Sequence, residues 1–593
     1  MKLRIISAAL ILAASLGASA QSLEQEITVE HEAVPEYRDV TRPYYAPAIK
    51  LPTITPKRLG YSARPVSISI PGTISTLEPA AFADTLYTSP YRGYAGLGYF
   101  PLTNIGAVAG YKFIDNDHTR LSGFLQYNGS AYHGYYPSYE SVAENADKRI
   151  IRNNTVTLDL TLHQAVGKHS FIDAGADFTA ARYSMPDGTH FLPQNMRRAD
   201  ISAAFSTTTD KYFFTAGAQY SHFGYGNTIL NDITPRDNHR PVRENMFKIN
   251  GATRVDMDGT SSVGIDGEFS LLNYGRRSVA GFSMSENHYL FADDGSYTHA
   301  LLSFRPYYRF DHRNFRIDLG ARVDFTFNSG KVFHIAPAAQ VTWKPAKIFA
   351  IYAKAGGGEH QNSLLSLFNV TPYAQPSLAY ANSHIPLTLD AGITFGTWNG
   401  LYAEISGGYA RANDWLMPVY AGKFREPTAG LITQIQRFDN AMFFAPVNLK
   451  GFHWRAAAGY AYRDIASIDL SYEGAPQKYD KGYYLWHDRA KSVFEGKLKV
   501  TPIKPLDVTV GYTLRTGRSV IDYHATTDPA IGDYYTYQSL GCARDLNLSL
   551  LFRINSQWSA FANASNLLGS KYLLIGDVPA RGVTGLVGAT YKF

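Results

Sequence analysis

The sequence holds a single cysteine, Cys542, among its 593 residues, so no intrachain disulfide can form. Cys542 also stands without the companion Cys or His that a thiol or metal site needs. Beyond Leu16 no apolar run approaches about 18 residues, which excludes a membrane-spanning helix from the rest of the chain. A G-x-S-x-G elbow and a phosphate-binding Gly loop are both absent, and no H-x-x-x-H pair stands near an acid. The chain is therefore not expected to be an enzyme or to carry a cofactor or metal. Its formal net charge is only +6, with Lys and Arg scattered among Asp and Glu, so nucleic acid is not an expected partner. No linker-like break comes after residue 90 either, although a soluble chain of this length should divide into several domains.

Aromatic residues are what the chain has in quantity: 14% overall, with 42 Tyr and 33 Phe. Tyr suits a long membrane–water boundary, because its ring sits in apolar matter while its hydroxyl stays wet. The N-terminus reads as a secretory signal: Lys2 and Arg4, an apolar core from Ile5 to Leu16, then Ala18-Ser19-Ala20 ahead of Gln21. Residues 1–20 are expected to be removed, and no cysteine follows that would mark a lipoprotein. Residues 21–90 open with acids (Glu24, Glu26, Glu30, Glu32, Glu36, Asp39) and then become proline-rich from Pro43 to Pro79. Proline at that density disfavours helix and interior strand. An extended leader is expected there, either loosely ordered or lying in a lumen against a partner.

From Tyr91 to the end, apolar and polar residues alternate. In Phe315–Phe327 one face reads Phe315, Ile317, Leu319, Ala321, Val323, Phe325 and Phe327, and the other Arg316, Asp318, Gly320, Arg322, Asp324 and Thr326. Such a strand suits about 9 to 11 tilted residues with lipid on one side and water on the other. The last stretch repeats it, with Phe593, Tyr591, Ala589, Val587 and Gly585 opposing Lys592, Thr590, Gly588, Leu586 and Thr584. Short turns at 115–118, 167–169, 208–210, 258–260, 311–314, 345–347, 398–400, 503–505 and 555–557 take turns with longer polar stretches near 136–152, 184–196, 226–240, 275–297, 416–445, 519–541 and 573–580. This predicts an all-β fold: a closed antiparallel outer-membrane barrel of about 22 strands over residues 91–593, with both termini on the periplasmic side. Pro306 and Pro337 fall within predicted strands and point to bulges or bends.

Inward-facing charges are the candidate functional surface: Asp266, Glu268, Arg305, Arg309, Arg316, Asp318, Arg322, Asp324, Glu495, Lys497 and Lys499. They could set substrate preference in a pore, or pair across the wall as structure. His133, His163, His222 and His453 fall in strand patterns facing water, and Asp293-Asp294-Gly295 reads as a solvated acidic turn. Tyr132, Tyr135, Tyr136 and Tyr139, with Tyr534, Tyr535 and Tyr537, could stack on sugars or a partner, or form an aromatic girdle.

Certain motifs resemble known families. Gly588-x-x-Tyr591-x-Phe593 is similar to the C-terminal signal by which outer-membrane barrels are recognised for assembly, which implies the barrel-assembly machinery as a partner. Asn566-Leu567-Leu568 followed by Lys571-Tyr572 resembles the end of TonB-dependent receptor barrels. Tyr37, Lys50-Leu51-Pro52, Tyr61-Ser62, Leu77-Glu78-Pro79 and Tyr91-Arg92-Gly93-Tyr94 resemble plug-less receptor-like barrels of Bacteroidetes-type bacteria. Ile27-Thr28-Val29 is faintly similar to the box that engages TonB. The resemblance implies transport across the outer membrane without a folded plug domain. The alternative is a non-transporting platform in a complex with a lipoprotein or other outer-membrane partner.

Overall fold

The computed structural model describes residues 91–100, 104–135, 148–184, 193–226, 243–274, 298–373, 381–420, 442–475, 477–479, 490–524, 534–539, 541–572 and 580–593. The expected signal (1–20) and leader (21–90) lie outside the described residues, as do Asp293-Asp294-Gly295, Tyr136 and Tyr139.

The chain runs through β1 (Gly93–Phe100), β2 (Asn104–Asp115), β3 (Thr119–Tyr135), β4 (Lys148–Ala165), β5 (Ser170–Ser184), β6 (Pro193–Thr208), β7 (Tyr212–Tyr225) and β8 (Arg243–Asp256). It continues through β9 (Ser261–Tyr274), β10 (Thr298–His312), β11 (Phe315–Phe327), β12 (Phe333–Ala346) and β13 (Phe349–His360), then one helix, α1 (Leu364–Val370). After the helix come β14 (Ser383–Trp398), β15 (Leu401–Tyr420), β16 (Met442–Tyr462), β17 (Ala466–Gly474), β18 (Gln477–Tyr479), β19 (Ser492–Ile503) and β20 (Leu506–Thr516). A hairpin, β21 (Ser519–His524) and β22 (Tyr534–Ser539), precedes β23 (Ala543–Arg553), β24 (Trp558–Ser565) and β25 (Thr584–Lys592).

The wall strands pair antiparallel in chain order, with β17 pairing β19 and β20 pairing β23, and β25 pairs with β1, so the sheet closes. The sheet contains 23 strands, but β17 and β18 both lie along β16 and make one interrupted wall strand, giving 22. β21 and β22 form a separate two-stranded sheet. Closure is the physical solution to a two-faced sequence: it satisfies every strand edge and hides none of the apolar side chains. Leu97, Ile201, Leu319, Ile335, Ile405 and Val587 stand outward, Ile405 being 68% exposed. An apolar belt of that extent has no aqueous counterpart in a monomer and fits a lipid environment.

Gly588 marks the closing seam. A Cβ at this position would lie 2.5 Å from Phe561 Cζ and 2.7 Å from Gly98 Cα, so only glycine lets β25 approach β1. Beside it the Gly93 N–H donates to Phe593 O at 2.8 Å and the Phe593 N–H to Gly93 O at 2.9 Å. Tyr591 packs on Trp558 at 4.7 Å and on Phe593 at 6.0 Å between centroids.

Pro306 behaves otherwise than expected. It pairs with Ile265 in an unbroken β10–β9 register, and the β10–β11 register is the same on both sides of it. Pro337 pairs with Ala321 without a shift, but on its other side the β12–β13 ladder ends at Ala339↔Ala355, opposite the Gly356/Gly358 irregularity, which fits the bulge expected there. Each proline withholds one N–H, and beside Pro306 the ladder gives up contacts locally rather than slipping. Register shifts occur at sites such as Trp343/Ala346, Gly356/Gly358, His384/Leu387 and Ala412/Trp415. The connection expected at 416–445 is shorter, because β15 runs to Tyr420 and β16 begins at Met442. At roughly 3.3 Å per residue, strands of that length outreach a membrane and carry the wall beyond it at the long-loop rim.

Candidate functional site

The segment from Gln361 to Tyr373, between β13 and β14, carries α1 and turns into the barrel. Ser363 caps the helix: its Oγ accepts the Ser366 N–H at 3.0 Å, while the Ser363 N–H donates to Ser366 Oγ at 2.9 Å. This reciprocal pair is a capping box built from two serines. Leu364, Leu365 and Leu367 are buried, as no surface helix would have them. Leu364, Leu365 and Phe368 share a cluster with Tyr183 of β5, Met196 of β6, Phe223 and Tyr225 of β7, Met246 of β8 and Leu272 and Tyr274 of β9. Ala543 of β23 and Tyr572 belong to the same cluster. A segment that leaves the wall at β13 and touches both β5–β9 and β23 must cross the lumen.

Polar contacts fix the crossing. Glu244 of β8 accepts the N–H of Leu364 and, at 3.4 Å, that of Leu365, so the wall supplies the anion at the helix start. The hydroxyl of Tyr183 donates to Pro372 O at 2.6 Å. Asn362 Nδ2 donates to Ala381 O at 2.6 Å and Ser383 Oγ at 2.9 Å, and Ser270 Oγ donates to Gln361 Oε1 at 2.5 Å. Burying three Leu side chains contributes roughly 5–9 kcal/mol as an upper bound.

The contacts of α1 also fix which face of the wall is inner. Met246, Leu272 and Phe223 point to it, and along the same faces run the charges named from the sequence. Those charges come together as pairs. Arg305 Nε donates to Asp266 Oδ2 at 2.8 Å, and Arg309 holds Asp318 through two contacts of 2.6 and 3.3 Å. Arg316 Nε lies 3.5 Å from Asp318, Arg322 Nε donates to Asp324 Oδ1 at 2.9 Å, and Lys248 reaches Glu268 at 3.6 Å. Tyr307 lies under Arg305 and Arg309, its ring centre 5.7 and 5.5 Å from the two guanidinium carbons. Across the barrel Lys499 is 3.9 Å from Asp507, Lys497 faces Asp469 in the ladder, and Glu495 faces Ser471 and Thr513.

The histidines divide. His163 is 2.5 Å from Asp173, His222 is 2.8 Å from Asn245 Oδ1 and His453 is 2.6 Å from Asp390. The first two are held by the neighbouring strand, and His453 reaches past Gly408 of β15 to β14. The histidines that gather are others: His334 of β12 and His384 of β14 both converge on Glu359 of β13, with ligand-capable atoms within 4.8 Å of one another. No local motif could have marked them, since 25 residues separate each from Glu359 in sequence and only the strand register unites them. Tyr132 is buried, with the Arg581 guanidinium 5.6 Å from its ring, and so is not part of an exposed girdle.

No protein-family profile matches the sequence, and no curated protein matches it. Solved structures do match the fold. The ferripyoverdine receptor of the outer membrane of Pseudomonas aeruginosa aligns with a TM-score of 0.59 at 12% identity, covering 85% of this chain and 72% of the receptor. The ferric enterobactin receptor of the same organism aligns at 0.59 and 9% identity, over 85% and 80%. The iron transporter FrpB of Neisseria meningitidis aligns at 0.59 and 9%, over 86% and 83%. The chain thus has a closed 22-strand antiparallel barrel fold of the kind seen in these outer-membrane receptors.

Proposed function

We propose that this protein is an outer-membrane transport barrel whose long-loop mouth is held shut by its own 361–373 segment. The observation that carries the reading is the lumen-crossing α1, anchored by Glu244 on one wall and packed between opposite walls. Below it, the paired charges of β8–β11 would form a hydrated inner surface that biases which solutes enter. In this reading residues 1–20 are cleaved, residues 21–90 lie in the periplasm or the lower lumen, and both termini are periplasmic. Outer-membrane lipid, the assembly machinery reading Gly588, Tyr591 and Phe593, and a lipoprotein or TonB would be its partners.

The apolar character of the α1 contacts favours a second reading, in which the lumen never opens and the barrel is a platform. Single-channel recording after reconstitution separates the two. Transport predicts a silent wild type and discrete openings when α1 is loosened by Glu244→Ala with Phe368→Ala. Silence of that variant and of a 21–90 deletion, with stoichiometric partners co-purifying from native membrane, would favour the platform and overturn the transport reading.

A further inference from the structure

We infer that His334, Glu359 and His384 form a binding site for a divalent transition metal of the zinc class, on the inner wall where the 361–373 segment leaves it. His334 Nε2 lies 3.0 Å and His384 Nδ1 lies 3.1 Å from the same oxygen, Glu359 Oε1. A tetrahedral ion bound at about 2.05 Å would hold its ligand atoms roughly 3.3 Å apart, so small side-chain adjustments admit it. The imidazole rings are 4.1 Å apart between centroids and inclined by 36°, so the two side chains pack against each other beside the carboxylate.

These short approaches are not hydrogen bonds. Glu359 Oε1 and His384 Nδ1 are both buried without a hydrogen-bond partner among the described residues. The Glu359 side chain is only 3% exposed, and the histidines are 10% and 18% exposed. A buried carboxylate oxygen left unpaired is costly, and a cation placed between the three groups removes that cost. Two imidazoles and one carboxylate are a donor set suited to zinc, with a position left over for water or another ligand. His334 Nε2 also donates to the Lys331 carbonyl at 3.0 Å, a hydrogen bond that coordination through this nitrogen would replace.

The wall is shaped to make this cluster. The register shift between Gly356 and Gly358 re-aims Glu359, and Gly358 sits at φ +133°, a conformation that side chains resist. Asp324, wholly buried, accepts the Glu359 N–H at 2.7 Å and the Ser303 hydroxyl at 2.5 Å. Arg322 neutralises Asp324 and also donates to Glu359 O at 3.1 Å. The charge of Asp324 is thus met by Arg322, while Glu359 Oε1 has only the two imidazoles within reach among the described residues. A bound ion would bridge β12, β13 and β14 at the point where the lumen-crossing segment begins and ends.

The test uses the full-length protein in detergent, stripped with chelator and titrated with Zn²⁺ and Co²⁺. One equivalent should bind, and Co²⁺ should give the intense visible bands of a four- or five-coordinate site. Glu359→Gln and His384→Ala should each lower affinity by more than about 100-fold, beyond the loss usual for supporting residues. His163→Ala and His453→Ala should leave it unchanged. Binding that survives both ligand substitutions, or no stoichiometric binding, would overturn the proposal. Should a ligand variant fail to fold, the wild-type Co²⁺ spectrum decides: weak, hexaaqua-like bands would overturn it.

Discussion

Replacing Glu244 by Ala should release α1 from the lumen wall while leaving the barrel folded. The carboxylate receives two backbone N–H groups, those of Leu364 and Leu365, which have no partner within the helix. A hydrogen bond to a charged group contributes about 1.5–3 kcal/mol, and the Leu365 contact, at 3.4 Å, should count for less than the other. A local loss of about 3 kcal/mol is expected, because both buried donors are left without an acceptor. At 1.36 kcal/mol per decade, that is roughly a 100-fold fall in hydrogen-exchange protection. Mass-spectrometric exchange on a peptide covering 361–373 reads this directly, with peptides from β15 and β16 as an internal control. Glu244→Gln keeps one acceptor oxygen and should fall between wild type and Ala. Unchanged protection of the 361–373 peptide in Glu244→Ala would refute the account of how the segment is held. So would a wild-type peptide that exchanges as fast as free chain.

Other expectations concern the wall. Gly358→Ala puts a Cβ within 2.6 Å of Arg322 Cδ and 2.8 Å of Asp324 Oδ2 at a positive φ, and should cost about 1–3 kcal/mol in urea unfolding; Gly511→Ala, with nothing within 4 Å, should be near neutral. Leu319→Lys on the outward face should cost about 2–4 kcal/mol and reduce assembly in lipid vesicles, whereas a lysine replacing inward Thr509 should be tolerated. In the turn after β8, Asp258 accepts the N–H groups of Thr260 at 3.0 Å and Ser261 at 2.6 Å, and these backbone contacts hold its carboxyl below the ordinary 3.8. A depressed folded value means that the contribution is complete above about pH 3.8 and is lost as pH falls through the lower folded value. The stability gap between wild type and Asp258→Asn should therefore narrow only in strong acid, and a gap that instead widened there would contradict the assignment.

The barrel is legible in the sequence because its signal repeats. Phe315–Phe327 alone could be an edge strand, but the same two-faced pattern recurring between short turns leaves few other folds, and Thr584–Lys592 pairs where its alternation requires. Pro306 misleads for a physical reason: a missing N–H costs one ladder contact, which a long strand absorbs without slipping. The α1 segment is hidden because its seven residues, LLSLFNV, carry no acidic start and no period long enough to stand out. Its cap is two serines and its anion comes from Glu244, 120 residues upstream. His334, Glu359 and His384 are invisible for a related reason, since the bulge at Gly358 that aims Glu359 is a property of paired strands rather than of local sequence.

These unseen features fall on one short arc of the wall. Between β12 and β16 the ladder slips at Trp343/Ala346, Gly356/Gly358, His384/Leu387, Phe395/Trp398 and Ala412/Trp415, while β3 to β10 pair without any such shift. A regular ladder is the cheapest way to close a barrel, and bulges concentrate where side chains have to be re-aimed. Here the irregular arc does two things at once: it launches the segment that crosses the lumen, and it turns Glu359 toward His334 and His384. The regular arc opposite supplies what the segment lands on, namely Phe223, Leu272 and the carboxylate of Glu244. Restoring regular pairing by removing one residue at the 356–358 bulge should therefore disturb both features together. If deletion of Gly357 abolished metal binding but left the 361–373 peptide fully protected from exchange, the two would be independent, and the irregular arc would have no single role.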